Sequence, residues 1–328
     1  MSTRSIVKVR LAIAPCLLAA IGMIGHAQTP LEQGVQLMNT EKYAEAQAAF
    51  EKAIASAPGD AEAQFQLARS LFEQEKFDEA VTAFEKAIVI DPKQARYQSG
   101  LGRGLGEKAR LSNIVVKGMI APRIRTAFEA AVAGDPRNIE YRNDLLQFYV
   151  EAPGFLGGSE EKALEQAAEI GKLDKKEGLL SRAHAYQSLE KFDEALKAFQ
   201  EGMAAYPDER DFALNSVVLL QEQKRFAEAS KLLAGILAKN PDSGFALYQT
   251  GRNAALSGKG LEEGSKCLLR YLELTPGPDE PKHEHAHVRL GDIYAKLKNP
   301  AEAKKHYSEA LKLNPKNENA ANGLKALG

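Results

Sequence analysis

The sequence predicts an all-α fold of stacked helical hairpins, and three observations carry that expectation. The first is local. From Ala61 to Gln94 the chain reads as two apolar-periodic runs joined by the turn Glu75-Lys76-Phe77. Phe65, Ala68, Leu71 and Phe72 recur at helical spacing in the first run, and Ala80, Phe84, Ala87 and Ile88 in the second. Asp78 and Glu79 open the second run, where acids suit the positive end of a helix dipole. Asp91-Pro92 closes it, because proline cannot continue the hydrogen-bond ladder and restricts the residue before it. The second observation is a fixed step. The set Ala80, Phe84, Ala87, Pro92 stands 34 residues after Ala46, Phe50, Ala53, Pro58. The same set returns as Ala195, Phe199, Gly202, Pro207 and, 34 residues on, as Ala229, Leu233, Ile236, Pro241. Ala303, Tyr307, Ala310, Pro315 is a further copy. Looser copies are Ile124, Phe128, Ala131, Pro136 and Gly264, Leu268, Tyr271, Pro276. The third observation is physical. One such hairpin cannot bury both of its apolar faces alone, so it needs copies of itself on either side.

The first 27 residues read differently. Arg4, Lys8 and Arg10 form a basic head, Leu11 to Gly25 is an uncharged apolar run, and Gly25-His26-Ala27 offers a small-x-small cleavage site. Residues 1–27 are therefore expected to be a secretory signal peptide cut after Ala27, and the mature protein to be periplasmic or secreted. Pro15 before Cys16 argues against a lipoprotein signal. Removing this segment leaves 40 Lys+Arg against 44 Asp+Glu, a mildly acidic balance that argues against a dedicated nucleic-acid binder. Cys267 is then the one remaining cysteine, so no intramolecular disulfide can form. No other long apolar run occurs, so the mature chain is expected to lack an integral membrane segment.

Residues 28–328 divide into repeats in order. Repeat one spans roughly Thr29 to Asp60, and repeat two the stretch just described. Repeat three starts normally, but Pro92 to Pro136 is 44 residues, ten beyond the period. The extra material lies at about 106–122, where Leu111, Val115 and Met119 keep a four-residue spacing, so both helices are expected to lengthen and to project from one edge. Repeat four begins at Ile139, is interrupted by the Pro/Gly loop 151–158, and restarts at Ser159 as an N-cap. Its closing proline is replaced by Lys175. Repeats five and six run regularly from Lys176 to Pro241. Repeat seven, Asp242 to Pro276, is glycine-rich in its turn, and the linker 277–281 reads as a break in the stack. Repeat eight follows from about His283, and Asn317 to Leu327 reads as a polar capping helix.

The step of 34 residues, the proline closure, and Leu290-Gly291 with Tyr294 resemble the tetratricopeptide repeat. The resemblance covers nearly all of the chain after residue 28 and implies a right-handed α-solenoid of about eight hairpins. The Pro/Gly loop together with a lengthened preceding repeat is similar to exported bacterial members. The family's small residues, where paired helices touch, fall here on Gly34, Ala68, Gly102, Ala183 and Gly291. In the family the first helix of each repeat lines a concave peptide groove. Its lining positions fall here on Phe65, Arg69, Phe72, Ser99, Arg103, Asn143, Gln147, His184, Tyr248 and Arg252. Arg69 and Arg103 hold equivalent positions in adjacent repeats, so the resemblance implies that they stack along the groove and meet an acidic segment beside Phe65 and Phe72. The carboxylate clamp of chaperone-binding members is matched only in part, since two of its positions carry Leu31 and Val35.

Two further constellations stand out. Arg96, Arg103, Lys108, Arg110, Lys117, Arg123 and Arg125 form a basic run opposed between residues 96 and 126 only by Glu107. It reads either as a docking patch for an acidic peptide, a glycan phosphate or an anionic lipid, or as an ordinary solvated face. His283, His285 and His287 offer an i, i+4 pair for a metal, or else a histidine-rich helix start. No nucleophile elbow, P-loop or dinucleotide fingerprint is present, and the glycine run 100–106 falls inside a helix with no strand before it. The sequence therefore predicts a non-catalytic, cofactor-free scaffold or adaptor of the cell envelope that holds a peptide or protein segment. A metal-binding protein or metalloenzyme, and a glycan or anionic-lipid binder, are the alternatives.

Overall fold

The computed structural model describes residues 28–278 and 280–328, so the leader assigned to residues 1–27 lies outside the described residues. Every regular element among the described residues is helical. The chain forms two compact units that divide after Ile90. The first holds two hairpins, α1 (Pro30–Asn39) with α2 (Tyr43–Ser56) and α3 (Ala61–Glu73) with α4 (Phe77–Ile90). The second opens with α5 (Ala95–Arg110), α6 (Ile114–Gly134), α7 (Ile139–Glu151), a 3-10 turn at Gly154–Leu156 and α8 (Glu160–Leu173). It continues with α9 (Lys175–Ser188), α10 (Phe192–Ala205), α11 (Arg210–Glu222), α12 (Phe226–Lys239), α13 (Gly244–Ser257) and α14 (Leu261–Tyr271). It ends with α15 (His283–Lys296), α16 (Pro300–Leu313) and α17 (Glu318–Ala326).

Side-chain oxygens start most first helices where the sequence places small polar residues. Thr29 and Glu32 form a reciprocal capping box at α1, and Asp60, Asn138 and Ser243 each accept from a backbone N–H three residues on. Five of the hairpins reverse on a left-handed residue that is not glycine, whereas the turns before α8 and α14 use Gly157, Gly258 and Gly260. Glu41, Glu75, Glu190, Lys224 and Lys298 all have φ between 56° and 61°. Two pairs of them are separated by the same 34-residue step as the apolar pattern. A side chain in this backbone region costs roughly 1–2 kcal/mol, so the packing on either side holds the turn.

That packing is a close approach of backbone to ring. A β-carbon placed on Gly34 would lie 2.3 Å from Phe50, on Gly102 2.4 Å from Phe128, and on Gly291 2.4 Å from Tyr307. Phe50 and Phe128 are buried, and so are Ala46, Ala80, Ala195, Ala229 and Ala303 on the second helices. The proline-free junction between repeats four and five uses other means. Asp174 ends α8 and also caps α9, accepting from Lys176 N at 2.8 Å and Glu177 N at 3.1 Å. Gly171 and Gly178 then face each other so closely that a β-carbon on Gly178 would sit 2.3 Å from Gly171 Cα.

In the second unit both helices of repeat three are long, with 16 residues in α5 and 21 in α6. Pro122 lies inside α6 and cannot donate to the carbonyl four residues back. The expected break at 277–281 is a correction. Tyr271 donates to the Pro281 carbonyl at 2.5 Å, the Glu280 carboxylate accepts from Gly277 N and pairs with Arg210, and α13 and α14 both pack against α15. The linker is tied at both ends because Glu280 also lies against Gly244, where a side chain would collide with it.

Packing in the second unit is one-sided. Most successive first helices touch, α5 with α7, α7 with α9, α11 with α13, and α13 with α15, while α9 and α11 make no comparable contact. No comparable contact joins successive second helices among the described residues. Crowded first helices and splayed second helices place the first helices on the inner side of this unit.

The ring-on-backbone contact gives a stability expectation. Gly102→Ala should lower stability by roughly 1–3 kcal/mol, because the Phe128 ring must shift within a filled core. Thermal or urea unfolding measures this. A variant more stable than the parent would show that helix propensity outweighs the contact.

Candidate functional site

The inner face of the second unit is the candidate binding surface. On α5 and α7 its charges are already used. Arg103 Nε lies 2.8 Å from Asp144 Oδ2 and Arg103 Nη2 2.6 Å from Glu140 Oε1. Ser99 Oγ donates to the same Asp144 oxygen at 3.2 Å. The Arg103 and Asp144 side chains are only 23% and 19% exposed. The expected ligand-facing role of Arg103 is therefore corrected. Asp144, one turn beyond Glu140 on α7, was the missed partner, and its carboxylate neutralises the guanidinium. Removing one member of such a pair strands the other in a poorly hydrated place.

Other expected groove residues divide by burial. Phe65 packs on Phe84 with ring centroids 5.8 Å apart and is buried, so it belongs to the core of the first unit and not to a ligand surface. Arg69 bonds Gln66 at 3.0 Å and lies over the Phe65 ring, and Phe72 meets Phe77 edge-on. Arg69 and Arg103 fall in different units. Tyr248 is also buried, tilted against Tyr271 at 5.5 Å, because α13 sits deeper than its register suggested. Asn143 accepts from Ser181 Oγ at 2.8 Å, and Gln147 donates to Glu151 at 2.6 Å. His184 is exposed, yet the protein around it disfavours its charged form, which lowers its pKa from the ordinary value. An exposed group that is still poorly hydrated is what an inner wall produces.

Arg252 on α13 is the exception among the arginines expected in the groove. Its guanidinium donates to the side-chain carbonyl of Gln221, a neutral group, and forms no ion pair among the described residues. Gln221 is itself buried and held by the Gln249 backbone carbonyl at 3.3 Å. Burial, and after it the neighbouring Arg289 guanidinium, lower the Arg252 pKa from its usual value. Arg289 is satisfied by Asp292 at 3.0 Å, and Asp292 also accepts from Tyr307 at 2.8 Å. The inner face of α13 therefore presents a half-dehydrated cation whose hydrogen-bond partner is neutral.

The basic run of repeat three is more compensated than its sequence suggests. Arg110 pairs with Glu107 at 2.7 Å, Arg125 with Glu129 at 3.9 Å, and Arg96 lies over the Tyr97 ring at 5.1 Å. Lys108, Lys117 and Arg123 complete the set on the same long hairpin.

The histidines diverge. His283 Nε2 lies 2.9 Å from the Leu274 carbonyl and its ring meets Tyr271 edge-on. His285 is exposed beside Glu284. His287 turns instead to α16, where its Nδ1 lies 3.0 Å from Nδ1 of His306. The i, i+4 pair expected of His283 and His287 is thus not aimed at one point, since each ring has its own partner. Among the described residues no three His, Cys, Asp or Glu side chains form a group suited to a metal ion. The His287–His306 contact was not legible in the sequence, because it joins two helices 19 residues apart.

Helical hairpins packed side by side, with an inner layer of first helices, define a helical repeat protein. Tetratricopeptide-repeat models match residues 31–95, 187–252 and 285–317, and the chain belongs to the tetratricopeptide repeat family. A TPR repeat-containing protein of Pseudomonas aeruginosa is 26% identical over 142 residues, which cover 43% of this chain and 23% of that relative. The matched segment is therefore less than a quarter of that relative's length. A crystal structure of a tetratricopeptide repeat protein from Parabacteroides merdae has a similar fold, with a TM-score of 0.52 at 12% identity, covering 91% of this chain and 97% of that one. A thermophilic TPR protein of Thermus thermophilus is 22% identical with a TM-score of 0.45, over 58% of this chain and 97% of that one.

The paired histidines set a pH dependence. Burial, then the His287 ring and Lys305, push His306 down to about 4 from an ordinary 6.5, against the pull of Glu302 and Glu309. A histidine depressed on folding stabilises the fold above its unfolded pKa and loses that contribution as pH falls toward its folded value. Stability should therefore drop between pH 6.5 and about 4, with at most about 3 kcal/mol of the drop belonging to His306 and about 2 kcal/mol of that reached by pH 5. Urea unfolding of the parent and of His306→Phe at pH 7 and pH 5 measures it. The variant should show the smaller loss, and equal losses would remove His306 as the cause.

Proposed function

We propose that this chain is a non-catalytic scaffold of the cell envelope whose second unit holds an extended, carboxylate-bearing segment of a protein partner along its inner helices. The observation that carries this reading is Arg252. It is a half-buried cation on the inner face of α13, held by the neutral Gln221 and forming no ion pair among the described residues, with Glu222 near enough to act on it only through space. Folding dehydrates the guanidinium without pairing it, and a ligand carboxylate would supply what the fold leaves out. His184 and Gln147, exposed on the same layer of first helices, offer neutral polar contacts to the backbone of an extended peptide. The family supports the coarse statement, since tetratricopeptide domains mediate protein interactions. The envelope location rests on the basic head, apolar run and Gly25-His26-Ala27 site of the leader. No helix among the described residues is long and apolar enough to cross a membrane.

The test uses three synthetic peptides of equal length, acidic, neutral and basic, with fluorescence anisotropy at low and physiological salt. The acidic peptide should bind best and should weaken as salt rises. Arg252→Ala should weaken it by about tenfold to a hundredfold, the equivalent of about 1.5–3 kcal/mol for a charge-assisted hydrogen bond. Arg103→Ala should instead lower the melting temperature, because it strands Asp144. Equal affinities for all three peptides, with Arg252→Ala indistinguishable from the parent, would count against the reading.

A further inference from the structure

The outer end of the long α5–α6 hairpin inverts the usual pattern of a solvent-facing helix. Leu111 and Ile114 at the turn are each 65% exposed, Val115 is 69% exposed and Met119 72%. Val115 and Met119 are four residues apart, and Ile120, Ala121, Ile124, Ala127 and Phe128 are the residues α6 buries. Over the first two turns of α6 the face turned away from the protein, where polar side chains are the rule, is therefore aliphatic, and Arg123, Thr126 and Glu129 follow it. Phe155, 82% exposed, extends the apolar surface from the short 3-10 turn packed on α6, where Gly118 faces Leu156 and Gly157 faces Arg125. A contiguous apolar surface of this kind marks an interaction site.

The charges around it are of one sign. From Lys108 to Phe128 no acidic residue occurs, while Lys108, Arg110, Lys117, Arg123 and Arg125 do. Counting the flanking Glu107 and Glu129, to which Arg110 and Arg125 are paired, residues 107–129 still carry a net charge of +3 in a chain whose total is −1. Lys117 falls two residues from each of Val115 and Met119, on the other side of the same helical turn, and forms no ion pair among the described residues. Aliphatic side chains at a protruding end, ringed by long cationic side chains, have the chemistry of an element that enters the headgroup layer of a bilayer. The apolar groups reach the acyl boundary and the cations remain among anionic headgroups.

We infer that the tip of the α5–α6 hairpin, Leu111 to Met119 with Phe155 beside it, docks onto the surface of an anionic lipid bilayer without spanning it. This is separate from the peptide-holding role proposed for the inner face, since the exposed side of α6 belongs to a second helix of the stack. Docking there would leave Arg252 and the other first-helix side chains open to a partner.

The experiment is co-sedimentation of the full mature chain with vesicles of phosphatidylcholine alone and of phosphatidylcholine containing phosphatidylglycerol. The anionic vesicles should bind at least about tenfold more protein at equal lipid, and rising salt should reduce that excess. Val115→Asp with Met119→Asp should remove binding by about tenfold or more. Its melting temperature should stay at the parent value, because both side chains already face solvent. Lys117→Glu tests the charge separately and should lower binding to anionic vesicles alone. Equal partition to both vesicle types, no binding to either, or undiminished binding by the double variant would overturn the proposal. Absent vesicle binding together with a dimer that the double variant abolishes would assign the tip to a second copy of the chain instead. None of these outcomes depends on Arg252, so failure here leaves the peptide reading standing.

Discussion

In the regular hairpins a small residue on the first helix lies directly beneath a bulky side chain of the second, and the rest of the structure depends on that contact. Gly34 under Phe50, Gly102 under Phe128, Gly251 under Leu268 and Gly291 under Tyr307 leave no room for a β-carbon. The close approach sets the distance between the paired helices. That distance fixes where the next hairpin can lie, and so which helix face is inner. The left-handed turns at Glu75, Glu190 and Lys224 are tolerated because this packing pulls the two helices together on either side of them. Specificity at the inner face is thus a secondary property. The side chains there vary because they are not part of the contact that builds the stack.

Much of the fold was legible because the information is periodic and local. The alanine, aromatic and proline spacing located the regular hairpins, and the ten-residue excess between Pro92 and Pro136 pointed to the two long helices α5 and α6. What escaped was non-periodic. Asp174 serves two helices at once, a role that its identity as a capping residue hinted at but that the missing proline obscured. The linker at 277–281 looked like a break because its composition is that of a loop. Its order comes from Glu280, whose partners Arg210 and Gly277 lie on different parts of the chain.

The candidate site was less legible, for a related reason. Register tells which face a residue occupies, but not how deep the face lies or what stands opposite. Phe65 and Tyr248 are in the expected register and still disappear into the core, because neighbouring rings close over them. Arg103 was assigned to a ligand when its partners were Asp144 and Glu140 on the next first helix, 41 and 37 residues away. Arg252, expected in the same groove, has the uncharged Gln221 as its hydrogen-bond partner instead. An arginine reads the same in sequence whether its partner is an acid or an amide.

The junction at Asp174 also bears on how the molecule responds to force. Repeats four and five are joined by one residue that terminates α8 and begins α9, with Gly171 and Gly178 in backbone contact beside it. Bending between these repeats has only that residue's two dihedrals in which to be absorbed, and the glycine contact resists even those. The stack is stiff there, like a beam with a welded joint. Under load, the repeats on either side of Asp174 should therefore move as one piece.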